Sequence, residues 1–342
     1  PEGGNMPDFS RPVFIVSAPR SGSTLFRLIL DAHPRLAVPS PAWLYEMVYP
    51  YLYSYGDLAS PENFMALAED IFENPFIKNM KLDITPKDLV SASEEPTFRG
   101  LYDALHRHYA ERTGKERWGE KSPRNSFWME EIKGDFPDAQ FVHIVRDGRD
   151  MAIDIADSPE MLPENIYSGA HVWKDFTGAA HASGKRMGES DYYVIRYEDL
   201  CAEPESELKK LCDFLNEDFD AQMLAHHETD SSKRWSSLPN HVKSGRPIST
   251  QYCEMYKTRL PANDLSALEE VMGDLLVEFG YPAGGSAKPI PEKLAAQLME
   301  SEMISAPRVI AYRKWHADRR RERLEGGVWK LEDRESLLRS LC

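Results

Sequence analysis

The stretch FIVSAPRSGSTLFRLILDAHP, residues 14–34, decides how the chain is read. A short apolar run leads into a polar turn, Pro19-Arg20-Ser21-Gly22-Ser23-Thr24, and then into apolar residues at helical spacing. An ordinary strand-to-helix connection needs little more than a glycine and an N-cap. This turn offers a nest of backbone N–H groups, the hydroxyls of Ser21, Ser23 and Thr24, and the Arg20 guanidinium at a helix N-terminus. Gly22 lets an anion approach the backbone closely. Such a set suits a phosphate or a group shaped like one. The pattern is not GxxxxGK[ST], because no lysine precedes Ser23. The plain alternative is an ordinary turn whose serines cap the helix.

Outward from this stretch the chain alternates strands and helices. β-branched and aromatic runs at Val13–Ser17, Arg117–Gly119, Gln140–Val145 and Tyr192–Arg196 predict buried parallel strands. Helical spacing is found over Thr24–Ala32, Phe98–Thr113, Ser126–Phe136, Asp150–Asp157, Ile166–Met187, Glu205–Leu215 and Asn263–Phe279. The alternation predicts one α/β domain over residues 6–282, with a parallel sheet covered by helices on both faces. Residues 40–115 interrupt the alternation and read as a helical insert. Residues 283–342 read as a Pro/Gly linker followed by a charged helical arm with a basic cluster at Arg319, Arg320, Arg321 and Arg323. The arm is expected to be a solvated helix, or to pack on the main domain or on a second subunit as in a homodimer. Residues 1–5, ahead of Met6, look like an appended remnant and are set aside.

The 342 residues carry a net charge of −15, which argues against a protein that coats nucleic acid. After residue 287 there are 12 basic and 9 acidic residues, a local +3 that leaves −18 for the rest. An anion bound by so acidic a body needs a local cationic pocket, so basic residues inside apolar motifs matter most. No apolar run approaches the ~20 residues of a membrane span, and the N-terminus lacks the pattern of a secretory signal. The four cysteines form no CxxC pair, so reduced thiols in a cytoplasmic protein are expected.

PRSGSTLFRLILDAHP resembles the 5′-phosphosulfate loop of sulfotransferases that use 3′-phosphoadenosine 5′-phosphosulfate (PAPS), particularly the tyrosylprotein and bacterial branches. Four further segments agree. FPDAQFVHIVRDGRDMAID, residues 136–154, is similar to the family's 3′-phosphate segment and places Arg146 on that phosphate; surface pairing of Arg146 and Arg149 with Asp147 and Asp150 is the alternative. WGEKSP, residues 118–123, resembles the strand-end Glu-Lys-[ST]-Pro, whose lysine points at the transferring group; here that is Lys121. YYVIRYEDL, residues 192–200, resembles the element whose tyrosine lies by the adenine, which makes Tyr197 a cofactor candidate. SGRPISTQYCEMYKTRLP, residues 244–261, is similar to the loop that closes over PAPS, with Tyr256 where a tryptophan is common; Lys243 and Arg246 are phosphate candidates there. The resemblance implies a P-loop-NTPase-like three-layer fold, with PAPS as donor and PAP, adenosine 3′,5′-bisphosphate, as product. No metal is required by it.

Two departures stand out. Eight residues beyond the 3′-phosphate arginine the family has a serine, and this chain has Asp154, whose charge would repel a phosphate. Either Asp154 points elsewhere or another donor such as Ser158 substitutes. The tyrosylprotein branch also has a catalytic glutamate 21 residues after the loop arginine, and that position is Pro41. Substitute bases are Glu46, Glu120 or one of several histidines; His33, in the AHP stretch, reads as structural.

Residues 40–115 are the expected acceptor region. Trp43, Tyr45, Tyr49, Tyr51, Tyr53 and Tyr55 either stack on an aromatic, sugar or cationic acceptor or form the insert's own core. Glu94, Glu95, Asp103 and Glu111 favour a neutral or cationic small molecule. The expectation is a PAPS-dependent sulfotransferase of hydroxyls or amines, in which Arg20 and Lys121 supply positive charge to an in-line transfer. A P-loop nucleotide kinase and a non-catalytic nucleotide binder of the same fold are the alternatives.

Overall fold

The computed structural model describes residues 9, 11–158, 165–237 and 239–283, with 292 and 296; most of the expected linker and basic arm lies outside the described residues. Five parallel strands form one sheet: β1 (Val13–Val16), β2 (Leu36–Ala37), β3 (Arg117–Lys121), β4 (Gln140–Val145) and β5 (Tyr192–Arg196), in the order β2-β3-β1-β4-β5. From central β1 the chain builds β2 and β3 on one side and then β4 and β5 on the other, so the winding direction reverses beside β1. In open parallel sheets, crevices at such reversals, beyond the strands' carboxyl ends, are where ligands bind. Lys121 pairs with Ile15, and His143 with Val16, so β3 and β4 bring their C-terminal ends to the same edge as the turn after β1.

The period-2 alternation of β1 explains the layers. Phe14 and Val16 join a cluster with Leu101, Tyr102, Trp118 and Phe136. Val13 and Ile15 join another with Phe26, Ile29, Leu208 and Leu211. Helix Phe98–Arg112 therefore covers one face, and α1 (Ser23–Asp31) with helix Pro204–Leu215 covers the other. All four β1 side chains are buried, as a central parallel strand requires.

Three local expectations change. β2, a two-residue edge strand, is too short to carry a periodic signal. The helix expected over Asn263–Phe279 is broken at Gly273, whose φ of +52° divides Ala262–Met272 from Asp274–Glu278. Ser126–Phe136 resolves into a 3₁₀ turn, Pro123–Phe127, and a helix, Met129–Asp135, separated by Trp128 at φ −121°. Six helices, one of them 3₁₀, lie between β2 and β3, where the insert is expected. Cys201, Cys212 and Cys253 are free thiols. Among the described residues, no helix is long and apolar enough to cross a membrane.

Candidate active site

The sequence turns abruptly from apolar to polar at the end of each strand, and those turns meet at one cavity of about 920 Å³. Arg20, Gly22, Ser23 and Thr24 line it from the turn after β1, Lys121 from the end of β3, Arg146 from the end of β4 and Tyr197 from the end of β5. This volume lies within the range of small-molecule and cofactor sites.

The turn after β1 has the geometry of an anion cradle. Gly22, at φ +83°, stands at the N-cap of α1, and no side chain caps the helix. Its first N–H groups, which have no intrahelical acceptors, lie beside the cavity. Arg20 also holds a left-handed conformation, φ 63°, and its buried Nε makes no hydrogen bond within the protein. Strain and an unsatisfied donor in one cavity-lining residue fit an anionic guest. Ser21 departs from expectation: its hydroxyl is buried and unpartnered, and the residue does not line the cavity, leaving Ser23 and Thr24 as the hydroxyl donors.

A Cβ on Gly22 would come within 2.5 Å of the Tyr197 ring. Tyr197 thus packs on the turn's glycine, and the Arg146 guanidinium stands 5.2 Å from the ring centroid. Gly22→Ala must both strain the turn and displace Tyr197. The expected cost is about 1–3 kcal/mol, read as a lowered midpoint in urea unfolding; an unchanged midpoint would mean the ring yields freely.

Arg146 joins the two cationic groups. Its Nη1 donates to the Arg20 carbonyl at 3.0 Å and to Asp154 Oδ2, and its Nη2 donates to the Tyr252 carbonyl at 2.8 Å. Asp154 does not point elsewhere, as one expectation had it. It faces the cavity, bound to Arg146 and, at 3.3 Å, to Lys243 Nζ. Burial works against its charged form, but Arg146, Lys243 and Arg20 more than offset this and lower its pKa below the ordinary value. Ser158, the alternative donor, also lines the cavity.

Arg246 lines the same wall and donates to the Tyr252 hydroxyl at 3.3 Å, and Lys243 lies 4.5 Å from the Tyr252 ring centroid. Tyr252 is therefore the wall aromatic of this loop. Tyr256, four residues on, is buried instead against Arg149, with the guanidinium 3.9 Å from the ring centroid, and its N–H donates to Asp150. The second arginine of RDGR is structural: Arg149 grips Asp147 through two nitrogens and bonds Glu269 and the Pro282 carbonyl. Glu198 of RYEDL accepts from the Asp147 N–H at 2.9 Å, tying the β5 end to the turn after β4.

Lys121 is only 5% exposed, and its Nζ reaches Thr24 Oγ1 at 3.5 Å. Burial, with repulsion from Arg27, pushes its pKa down to about 7 against the pull of Glu120. The expected bases fare differently. Glu46 accepts from Trp128 Nε1 at 3.3 Å, pairs with Arg124 at 3.4 Å and does not line the cavity. Its helix, Leu44–Met47, turns it toward the 3₁₀ turn after β3, so the structure gives no support to Glu46 as the base. Glu120 is wholly buried, accepting from the Ala42 N–H, Ser122 and Asn125. His33 is fixed by the Asp218 carbonyl at 2.8 Å and the Arg35 N–H at 3.2 Å. Among the described residues lining the cavity, Asp154 is the sole carboxylate and there is no histidine.

Of the aromatic run, only Trp43 reaches the cavity. It adopts φ 57° and stacks on Phe76 at 5.4 Å, and Phe76 lines the same wall. Tyr45 is fully buried and donates to Asp135 at 2.7 Å; Tyr55 bonds Asp70; Tyr53 is exposed. The insert's tyrosines mainly build its own packing and surface. Sequence spacing did not single out Phe76, Phe176 and Trp235, which line the cavity from later helices.

A polar turn at a bare helix N-terminus and the buried Arg146 guanidinium bonded to it thus meet around one cavity at a single edge of an α/β sheet. The chain belongs to the sulfotransferase family, whose model matches residues 12–221. An inferred protein-tyrosine sulfotransferase of Caenorhabditis briggsae is 24% identical over 281 residues, covering 78% of this chain and 90% of that protein. The nodulation protein NoeE of Sinorhizobium fredii is 22% identical over 289 residues, 78% of this chain and 65% of that protein. Among solved structures, the sulfotransferase domain of the Synechococcus olefin synthase superposes with a TM-score of 0.58 at 22% identity, covering 82% of this chain and 99% of that domain. The sulfotransferase domain of the curacin biosynthetic pathway gives 0.55 at 20% identity, covering 80% and 98%. Family and fold are thus those that the four motifs implied.

Proposed function

We propose that this chain transfers a sulfuryl group from PAPS to a hydroxyl or amine of a small-molecule acceptor, releasing PAP. The observation that carries this reading is the sharing of one cavity by the Gly22 turn, Lys121 and Arg146, with Arg146 bonded directly to the Arg20 backbone. The residues fit such a donor: a glycine-bared backbone, an unpartnered buried Arg20 Nε and a cavity of suitable size. Arg20, Ser23, Thr24 and the N-terminus of α1 would hold the 5′ end, and Arg146, Lys243 and Arg246 the 3′ end. Tyr197 would set the spacing between them.

The donor supplies a sulfuryl group already activated on its 5′-phosphate. Lys121 and Arg20 place fixed positive charge where negative charge grows on that phosphate and on the sulfuryl oxygens. The apolar wall of Trp43, Phe76 and Phe176 orients an acceptor with an apolar or aromatic body. With Asp154 occupied by two cations and no imidazole among the described residues of the wall, position and positive charge do most of the work, and the acceptor's proton leaves late, to water, as a loose transition state allows.

Calorimetric titration with PAP, ATP and GTP, followed by PAPS turnover across a panel of hydroxyl and amine acceptors, tests this. PAP binding in preference to ATP is expected, and so is sulfation of at least one acceptor. Preference for ATP with Mg²⁺ would reject the donor assignment; PAP binding with no turnover across the panel would leave a nucleotide-binding protein.

A further inference from the structure

The Arg146 side chain is 3% exposed, and most of its donors are already spent. Of its five N–H groups, one each goes to the Arg20 carbonyl, Asp154 and the Tyr252 carbonyl, and Nε is buried without a partner. Asp154, with its side chain 9% exposed, uses one oxygen on Arg146 and the other on Lys243. At this end of the cavity the two nearest cations are therefore shared with an ionised carboxylate fixed between them. A phosphate placed here must compete for those cations and lie close to a like charge that repels it. A neutral hydroxyl meets no such repulsion and can donate to a carboxylate lone pair, as ribose hydroxyls do to acidic residues in other nucleotide sites.

We propose that Asp154 relaxes the demand for a 3′-phosphate, so that the site grips its nucleotide mainly through the 5′ end and also accepts adenosine nucleotides with a free 3′-hydroxyl. Asp154 is then the specificity-determining residue of this end. The proposal rests on the reading of the cavity as an adenosine nucleotide site.

The test is calorimetry with adenosine 3′,5′-bisphosphate and adenosine 5′-monophosphate on the full chain, on Asp154→Ser and on the near-isosteric Asp154→Asn. Thermal unfolding establishes that each variant is folded. The unsubstituted protein is expected to prefer the bisphosphate by less than about tenfold, and at least one folded variant to raise that preference by about tenfold or more. A stronger preference in the unsubstituted protein, or a preference that neither substitution raises tenfold, overturns the proposal while leaving the nucleotide site intact. Failure of both nucleotides to bind overturns the nucleotide reading, and this proposal with it.

Discussion

Lys121→Ala is expected to lower PAPS turnover by about 10²–10³-fold, the usual cost of removing one preorganised donor from a developing charge, while PAP binding at pH 6–7 weakens by only about tenfold. The lysine is buried at the end of β3, reaches Thr24 at the start of α1 and, among the described residues, pairs with no carboxylate. Its charge is therefore available to whatever occupies the cavity. Single-turnover kinetics beside a calorimetric PAP titration separates the two effects; full turnover in the variant would remove Lys121 from the chemistry.

The same burial gives a pH signature. Because the pKa of Lys121 is pushed down to about 7, the free protein loses this charge as pH rises through neutrality. Bound phosphates favour the charged amine, so above about pH 7 binding must take up a proton. PAP affinity should then fall by up to about tenfold per pH unit, since phosphate itself, with a second pKa near 6, is already ionised there. Titrations in two buffers of different ionisation enthalpy report the proton directly. Lys121→Ala should abolish both the uptake and the slope; if the slope persists in the variant, another group is responsible.

Arg146→Ala should cost PAP about 2 kcal/mol or more of binding free energy. Two losses act together. A buried cation disappears from the 3′ end, and Asp154 is left with Lys243 alone to balance it. The fold is affected too, because Arg146 joins the Arg20 and Tyr252 carbonyls, and breaking a buried pair from one side destabilises by roughly 3 kcal/mol. Arg146→Lys restores charge without the fork, so it should recover part of the binding and little of the stability. PAP affinity unchanged in the alanine variant would move the second anionic end to another part of the cavity.

The strand-end motifs were legible because each couples an apolar run to a chemically unusual turn: PRSGST, GEKSP, VRDGRD and RYEDL each fall where a buried strand stops. Four of the five strands followed from that signal, whereas Leu36–Ala37 offered too few residues for any pattern. Partnerships were not legible. Nothing in the order of residues says that Asp154 spends both oxygens on Arg146 and Lys243, or that Tyr197 lies on Gly22. The tyrosine run left both of its readings open for a related reason. Composition places aromatics in the insert, but only the packing of Tyr45 against Asp135 and of Trp43 against Phe76 divides core from cavity wall. Glu46 is near the site in sequence, yet its carboxylate is spent on Trp128 and Arg124 and the residue does not itself line the cavity.

The helices between β2 and β3 hang on the sheet as one excursion, and they bring Trp43 and Phe76 to the cavity without contributing any of its cations. In the proposed reaction, the cations that hold the donor and the part of the acceptor wall formed by Trp43 and Phe76 thus sit on separate stretches of chain. Exchanging the excursion can retune what is modified while leaving the anion grip untouched, so divergence in this protein's relatives should collect between Ala37 and Arg117.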